Sequence, residues 1–195
     1  MLAAVILAAG ESRRMGWPKA LLLYHDRTFV EHLLDVTRHP KISTQKVVLG
    51  AGTAEIQARL NLDPTSVVVN PDWERGQLSS IQAAVRALSG ENLDGILVCL
   101  VDHPLITSAL VADLIEAFYR TGKCAAVPVF QGRRGHPVIF SRKLFDELLT
   151  APLETGARAV VWKHAGDVEE VPTEEQGAVL NLNDPDAYES ATDDS

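Results

Sequence analysis

Gly10, Arg14, Gly16 and Lys19 fall in one short stretch, directly after the apolar run Ala3-Ala4-Val5-Ile6-Leu7-Ala8-Ala9. Glycines bounding a turn let the backbone approach a ligand and adopt positive φ. The N–H groups of such a turn form an anion-binding concavity. Arg14 and Lys19 can add full positive charges to phosphate oxygens. Lys19 also stands immediately before a second apolar run, Ala20 to Leu23, which holds its base stiffly. The arrangement suits the triphosphate of a nucleotide. Its spacing is not that of the G-x-x-x-x-G-K-[ST] phosphate loop, and no G-x-G-x-x-G stands at this turn.

A second chemical group comes from the run Gly95 to Val101, which delivers Asp102 at its tip, followed by His103-Pro104. Mg²⁺ prefers oxygen ligands and is commonly held by one or two protein groups plus phosphates and water. Asp102 suits that role, and the alternative is a turn or cap aspartate ahead of a helix starting near Thr107. Other signals carry less. Gly50-Ala51-Gly52 lacks the third glycine of a dinucleotide site, because Glu55 takes its place. The six histidines show no H-E-x-x-H spacing and no cysteine pairing, which argues against zinc. There is no serine nucleophile elbow.

The elements that must position these groups alternate along the chain. Strands are expected near Ala3–Leu7, Lys46–Leu49, Ser66–Val69, Ile96–Val101 and Ala125–Val129, with extended segments after Pro137, near Val168–Val171 and near Ala178–Leu182. Helices are expected at Thr28–Arg38, Ala54–Leu60, Gly76–Ser89, Thr107–Arg120, Arg142–Leu149 and Gly156–Lys163. Thr107 reads as an N-cap, and Asp184-Pro185 reads as an N-cap with Pro at the first helical position. Alternation of this kind builds an α/β fold, a largely parallel sheet with helices on both faces. Ligands of open α/β sheets bind outside the carboxyl ends of the strands, where these motifs fall.

Composition sets the outer bounds. The chain has 195 residues, 46% hydrophobic and 23% charged, enough for one α/β domain with a full core. No apolar run approaches the roughly 20 residues that span a bilayer. The N-terminal apolar stretch lacks a basic lead, so a cytoplasmic protein without membrane attachment is expected. Cys99 and Cys124 lie far apart in apolar runs and read as buried free thiols. The net charge of −8 comes from the C-terminal stretch, where residues 166–195 hold ten of the 26 acidic residues and no Lys or Arg. With no basic face in view, nucleic acid is not an expected partner. The last residues, 191–195, read as a disordered tail.

The stretch L-A-A-G-x-S-x-R-M-G-x-P-K, Leu7 to Lys19 here, resembles the signature of nucleotidyltransferases that activate sugars and cofactors, in particular the MobA-like branch acting on molybdenum cofactor. The resemblance implies a three-layer α/β/α fold, with a Rossmann-like, mostly parallel sheet of the nucleotide-diphospho-sugar transferase type, in one domain over 1–190. It extends to later motifs in family order. Asn70-Pro71-Asp72-Trp73-Glu74-Arg75-Gly76-Gln77-Leu78-Ser79-Ser80 is similar to the family's loop for base and ribose, which implies nucleotide binding by Asn70, Gly76, Ser79 and Ser80. The backbone of Leu7, Ala8, Ala9 and Gly10 would read the base as well. Arg134-Gly135-His136-Pro137 resembles the family's R-G-H-P loop, and Gly156-Ala157-Arg158 the end of its G-D-x-G-A-R stretch, with Pro152-Leu153-Glu154-Thr155 replacing the start. Both imply acceptor binding, by Arg134, Gly135, His136 and Arg158.

Asn181-Leu182-Asn183-Asp184-Pro185 resembles the family's second metal stretch, with amides where cytidylyl members have Asp. Asn183 is the favoured partner of Asp102 for Mg²⁺, with Asn181 and Asp184 as alternatives. The implied reaction is Mg²⁺-dependent nucleotidyl transfer in which Lys19, Arg14 and Asp102 carry the catalysis. The acceptor is molybdenum cofactor and the donor CTP, because cytidylyl members show L-A-A-G and guanylyl members L-A-G-G. Asn183 points the other way, to GTP. Three alternatives stand beside this: a guanylyltransferase, a nucleotidyltransferase for another phosphorylated sugar or cofactor, and an adaptor that delivers cofactor to a molybdoenzyme.

Overall fold

The computed structural model describes residues 1–12 and 15–193, the last three by backbone alone. The chain opens with β1 (Leu2–Ala8), fully buried, and a short 3-10 turn at Lys19–Leu21. A small hairpin follows, β2 (Leu23–Tyr24) and β3 (Arg27–Thr28), leading into α1 (Phe29–Val36). Thr28 starts α1 with a reciprocal cap: its hydroxyl accepts from Glu31 N, and the Glu31 carboxylate accepts from Thr28 N. Next come β4 (Ile42–Leu49), α2 (Thr53–Leu60), β5 (Val67–Val69), α3 (Gln77–Ala87), β6 (Gly95–Leu100) and α4 (Ser108–Thr121). Thr107 caps α4 as its sequence suggests, accepting from Leu110 N at 3.2 Å. The remainder is β7 (Ala125–Phe130), β8 (Arg133–Arg134), β9 (Val138–Ser141), α5 (Phe145–Thr150), α6 (Gly156–Lys163), β10 (Val168–Pro172) and α7 (Pro185–Asp193).

The sheet runs β10-β7-β9-β6-β1-β4-β5, with β8 paired to β7. β1 pairs in parallel with β4 and β6, β4 with β5, and β10 with β7. β8 and β9 are the exceptions: β8 runs antiparallel to β7, and β9 runs antiparallel between β6 and β7. Alternate side chains of β1 enter two cores. Ala3, Val5 and Leu7 pack with Leu78, Ile81 and Val85 of α3 and with Leu148 and Val160 on one face. Leu2, Ala4 and Ile6 pack with Leu33 of α1, Ile56 of α2 and Leu114 of α4 on the other. A strand buried on both sides must read as an unbroken apolar run, and β1 does. This is the three-layer arrangement expected from the alternation of elements.

One expectation needs correction. The segment 178–182 is not a strand. A 3-10 turn occupies Gln176–Ala178, and the chain then runs irregularly to Asp184. Its backbone groups are taken by loops instead of a ladder: His136 N donates to Ala178 O at 2.8 Å, and Leu182 N to Asp102 O at 2.7 Å. The last described element, α7, runs from Pro185 to Asp193. Asp184 caps α7 by accepting from Ala187 N at 3.0 Å. Cys99 and Cys124 are free and buried, and burial pushes their thiols up to about 12 and about 11. Among the described residues, no helix is long and apolar enough to cross a membrane.

Candidate functional site

The carboxyl ends of β1 and β6 lie side by side, with Leu7 opposite Leu100 and Val101 N donating to Leu7 O. That pairing sets the loop after β1 next to Asp102. Between them opens a cavity of about 670 Å³ whose wall includes Ala8, Ala9, Gly10, Lys19, Asp102 and Asn183. Within the loop, Ser12 Oγ accepts from Lys19 N at 3.0 Å, and Ala20 and Leu21 are buried just beyond. Lys19 is thus anchored at its backbone and reaches inward with its side chain. Gly16 has φ 64° as expected, whereas Gly10 does not take a positive φ, and Ser12 does so at 56°. Gly10 instead leaves open space where a Cβ would point, which lets a ligand approach the backbone. Arg14, expected to bind phosphate, lies outside the described residues.

Lys19 Nζ donates to Asn183 Oδ1 and lies 3.8 Å from Asp102 Oδ2. The Lys19 and Asp102 side chains are only 13% and 23% exposed. Asn183 is brought there by the Leu182–Asp102 backbone bond, with Leu182 fully buried as the anchor. Asn181 is exposed and Asp184 is engaged as the α7 cap, so neither lines the cavity. A carboxylate and an amide oxygen therefore converge on one positive charge. That donor set fits a hard divalent cation whose remaining ligands are phosphate oxygens and water. No cluster of three or more His, Cys, Asp or Glu that could hold a metal by itself occurs among the described residues.

The loop after β5 forms the opposite wall through Trp73, Gly76, Gln77 and Ser80. Asn70 stands behind it, 2% exposed, donating from Nδ2 to Ser79 Oγ at 2.8 Å and to Ser80 Oγ at 3.0 Å. Its Oδ1 accepts from Asp72 N, and Ser79 Oγ donates to Gly76 O at 2.7 Å. So of the four residues the motif implied, Gly76 and Ser80 face the cavity while Asn70 and Ser79 brace the loop. Gly50, which mimics a dinucleotide turn in sequence, has a packing role. A Cβ there would lie 2.6 Å from Trp73 Cβ and 2.7 Å from Ala9 O. Its missing side chain is what lets Trp73 close against the first loop.

A second cavity, about 350 Å³, adjoins the first, and Gln77 lines both. Arg134, Gly135, His136 and Arg158 all border it, as their motifs implied. Its walls are mostly carbon, from Ile81, Val127, Phe140, Ala157 and Val161. Arg134 is paired with Glu170 at 2.7 Å. The Arg158 guanidinium sits 4.4 Å above the Trp162 ring, and Trp162 is 56% exposed at the rim. Sequence reasoning missed Gln77 and Trp162. Gln77 follows the motif glycine directly, and Trp162 lies four residues after Arg158 on the same helical face, which is the signal that could have found it.

His136 and His103 face each other with ring centroids 5.1 Å apart, each with a buried Nδ1 that has no partner among the described residues. Burial, helped by His103, pushes His136 down to about 3, and burial also lowers His103. An unfolded imidazole takes up its proton near pH 6.5, whereas folded His136 stays neutral far below that. Its contribution to stability is full above pH 6.5 and is lost as pH falls towards 3, by at most about 1.4 kcal/mol per pH unit. Melting curves between pH 7.5 and 5 are therefore expected to fall less steeply for His136→Gln than for the natural chain. Parallel curves would contradict the buried neutral state.

Residues 4–168 match the MobA-like NTP transferase domain. Among curated relatives, the chain is 36% identical to nicotine blue oxidoreductase of Paenarthrobacter nicotinovorans, over 79% of this chain and 78% of that one. It is 25% identical to molybdenum cofactor cytidylyltransferase of Escherichia coli, over 96% and 93%. It is 31% identical to a probable molybdenum cofactor guanylyltransferase of Opitutus terrae, over 95% and 92%. Among solved structures, Rv0371c of Mycobacterium tuberculosis matches with a TM-score of 0.85 at 30% identity, covering 99% of this chain and 98% of that one. A complex of that protein with manganese matches at 0.77 and 28%, covering 100% and 99%. The sheet and its helical layers are those of the nucleotide-diphospho-sugar transferase type. With Lys19 in the loop after β1, Asp102 just past the end of β6, and Asn183 brought to it by the Leu182–Asp102 backbone bond, the chain belongs to the MobA-like NTP transferase family and is a nucleotidyltransferase.

Proposed function

We propose that the chain transfers CMP from CTP to the phosphate of molybdenum cofactor, with Mg²⁺, and releases pyrophosphate. The observation that carries the reading is the pair of cavities joined at Gln77, one holding Lys19, Asp102 and Asn183, the other combining Arg134 and Arg158 with Ile81, Val127 and Phe140. The first cavity suits a nucleoside triphosphate, and the second suits a phosphorylated acceptor with an organic body, its arginines facing the phosphate and its apolar side chains the rest. A phosphate oxygen of the acceptor attacks the α-phosphorus in line. The new P–O bond forms as the bond to the β-phosphate oxygen breaks, and pyrophosphate leaves. Such a transfer needs positioning and charge neutralisation more than a protein nucleophile.

Lys19 and Arg14 neutralise the triphosphate and the departing pyrophosphate. Asp102 and Asn183 hold the divalent cation. Bound there, the cation supplies charge stabilisation at the reacting phosphoryl oxygens. Leu7 to Gly10, with Gly76 and Ser80, face the base. Ala9 supports CTP, because its Cβ narrows the space for a purine, and it lies in the cavity wall. Arg134, His136 and Arg158 surround the acceptor. The protein acts on small molecules, and a molybdoenzyme is the recipient of the product.

A second reading keeps the chemistry and changes the acceptor to another phosphorylated cofactor with a flat, weakly polar ring. The apolar side chains of Ile81, Val127, Phe140 and Val161 in the wall of the second cavity support it. The test is pyrophosphate release with Mg²⁺ and molybdenum cofactor, offering CTP, GTP, ATP and UTP in turn. CTP is expected to exceed GTP at least tenfold, the effect of about 1.4 kcal/mol in the pocket. A preference for GTP would make Asn183 the better guide than Ala9. Silence with every nucleotide would overturn this acceptor, and silence with all phosphorylated acceptors would leave the adaptor.

A further inference from the structure

We propose that the Lys19 ammonium holds the place of the divalent cation until nucleotide arrives, so that the triphosphate opens the cation site by drawing Lys19 away. This rests on the nucleotidyltransferase reading of the cavity. Lys19 Nζ donates to Asn183 Oδ1 and faces Asp102 Oδ2 at 3.8 Å, and these are the two oxygens that fit a divalent cation. The site is largely shielded from water, which strengthens the competition between charges. A cation entering alone must break the lysine's hydrogen bond to Asn183 and weaken its attraction to Asp102. It must also sit within a few ångströms of a like charge. Both effects weaken binding.

The surroundings permit a swing of the side chain and little else. The backbone of Lys19 is held through Ser12 Oγ, with Ala20 and Leu21 buried beside it. Asn183 is fixed through Leu182 N and Asp102 O. A triphosphate in the same cavity offers Lys19 several charged oxygens to replace the Asn183 amide oxygen and the Asp102 carboxylate. Once the ammonium turns to phosphate, Asp102 and Asn183 are available and the phosphates supply further ligands. Cation and nucleotide then favour each other's binding by the same factor, as linkage requires.

The test is Mn²⁺ binding without nucleotide, followed by the electron paramagnetic resonance signal of free Mn²⁺. It compares the natural chain with Lys19→Met, and with Lys19→Gln as a second neutral variant, each checked for folding by thermal melting. The neutral variants are expected to bind Mn²⁺ at least tenfold more tightly than the natural chain. Adding Asp102→Asn to Lys19→Met is expected to abolish the gain, which places the bound ion at this site. Equal or weaker Mn²⁺ binding by the folded neutral variants would overturn the proposal, as would a gain that survives loss of Asp102. Failure of the nucleotidyltransferase reading shows elsewhere, as absence of pyrophosphate release from the natural chain.

Discussion

Asp102→Asn is expected to lower pyrophosphate release at least a hundredfold while leaving the melting temperature within a few degrees of the natural chain. The substitution keeps shape and removes one negative charge. In the cavity that charge faces Lys19 at 3.8 Å, and it is the one carboxylate of the Asp102–Asn183 pair. Asn183 contributes an amide oxygen without charge, so the variant would hold a divalent cation with two neutral oxygens. Loss of one preorganised electrostatic group in a shielded site typically costs about 10²–10³ in turnover. Stability is affected far less. The Asp102 backbone oxygen still accepts from Leu182 N, and a partly exposed ion pair is worth about 1 kcal/mol or less. A variant that melts normally yet keeps more than a tenth of the activity would remove Asp102 from the metal site. A variant that fails to fold would assign it to the turn ahead of α4 instead.

The parts of this site that were legible in the sequence are those set by local rules. β1 reads as an unbroken apolar run because both of its faces are buried, and the loop after it announces itself by glycine and basic residues. Asp102 could be placed at a strand end because β6 is equally continuous. Thr107 and Asp184 follow capping chemistry that needs no tertiary information. The misreadings arise where distant contacts decide. The segment 178–182 alternates like a strand, yet its backbone is satisfied by the loops carrying His136 and Asp102, which no local pattern encodes. β9 was expected as extended chain, but its antiparallel insertion between β6 and β7 is a property of the sheet. Asn70 and Ser79 match a binding motif by type, and their hydrogen bonds to each other and to the loop, which the motif does not show, brace the cavity wall. Gln77 and Trp162 became visible only when two cavities could be seen to meet.

Gly135, implied by its motif to bind the acceptor, borders the second cavity, and the structure gives it a packing role as well. A Cβ at this position would lie 2.2 Å from Ala178 O and 2.7 Å from its carbonyl carbon. Those are backbone atoms, so no rotamer change can relieve the clash. The loop of Gly135 and the segment from Gln176 to Asn183 would have to separate, straining the bond from His136 N to Ala178 O. Overpacking of this kind costs about 1–3 kcal/mol. For a chain of this size that lowers the melting temperature by roughly 2–4 °C per kcal/mol. The functional loss should exceed the stability loss, because the displaced segment carries Leu182 and Asn183 to Asp102. Gly135→Ala is therefore expected to lower the melting temperature by several degrees and pyrophosphate release at least tenfold, with weaker Mn²⁺ binding in the presence of nucleotide. Weaker acceptor binding alone, with melting and Mn²⁺ binding unchanged, would return Gly135 to a simple contact role. If activity and metal binding both fall, the acceptor loop and the second metal ligand are one mechanical unit, joined through the Ala178 carbonyl.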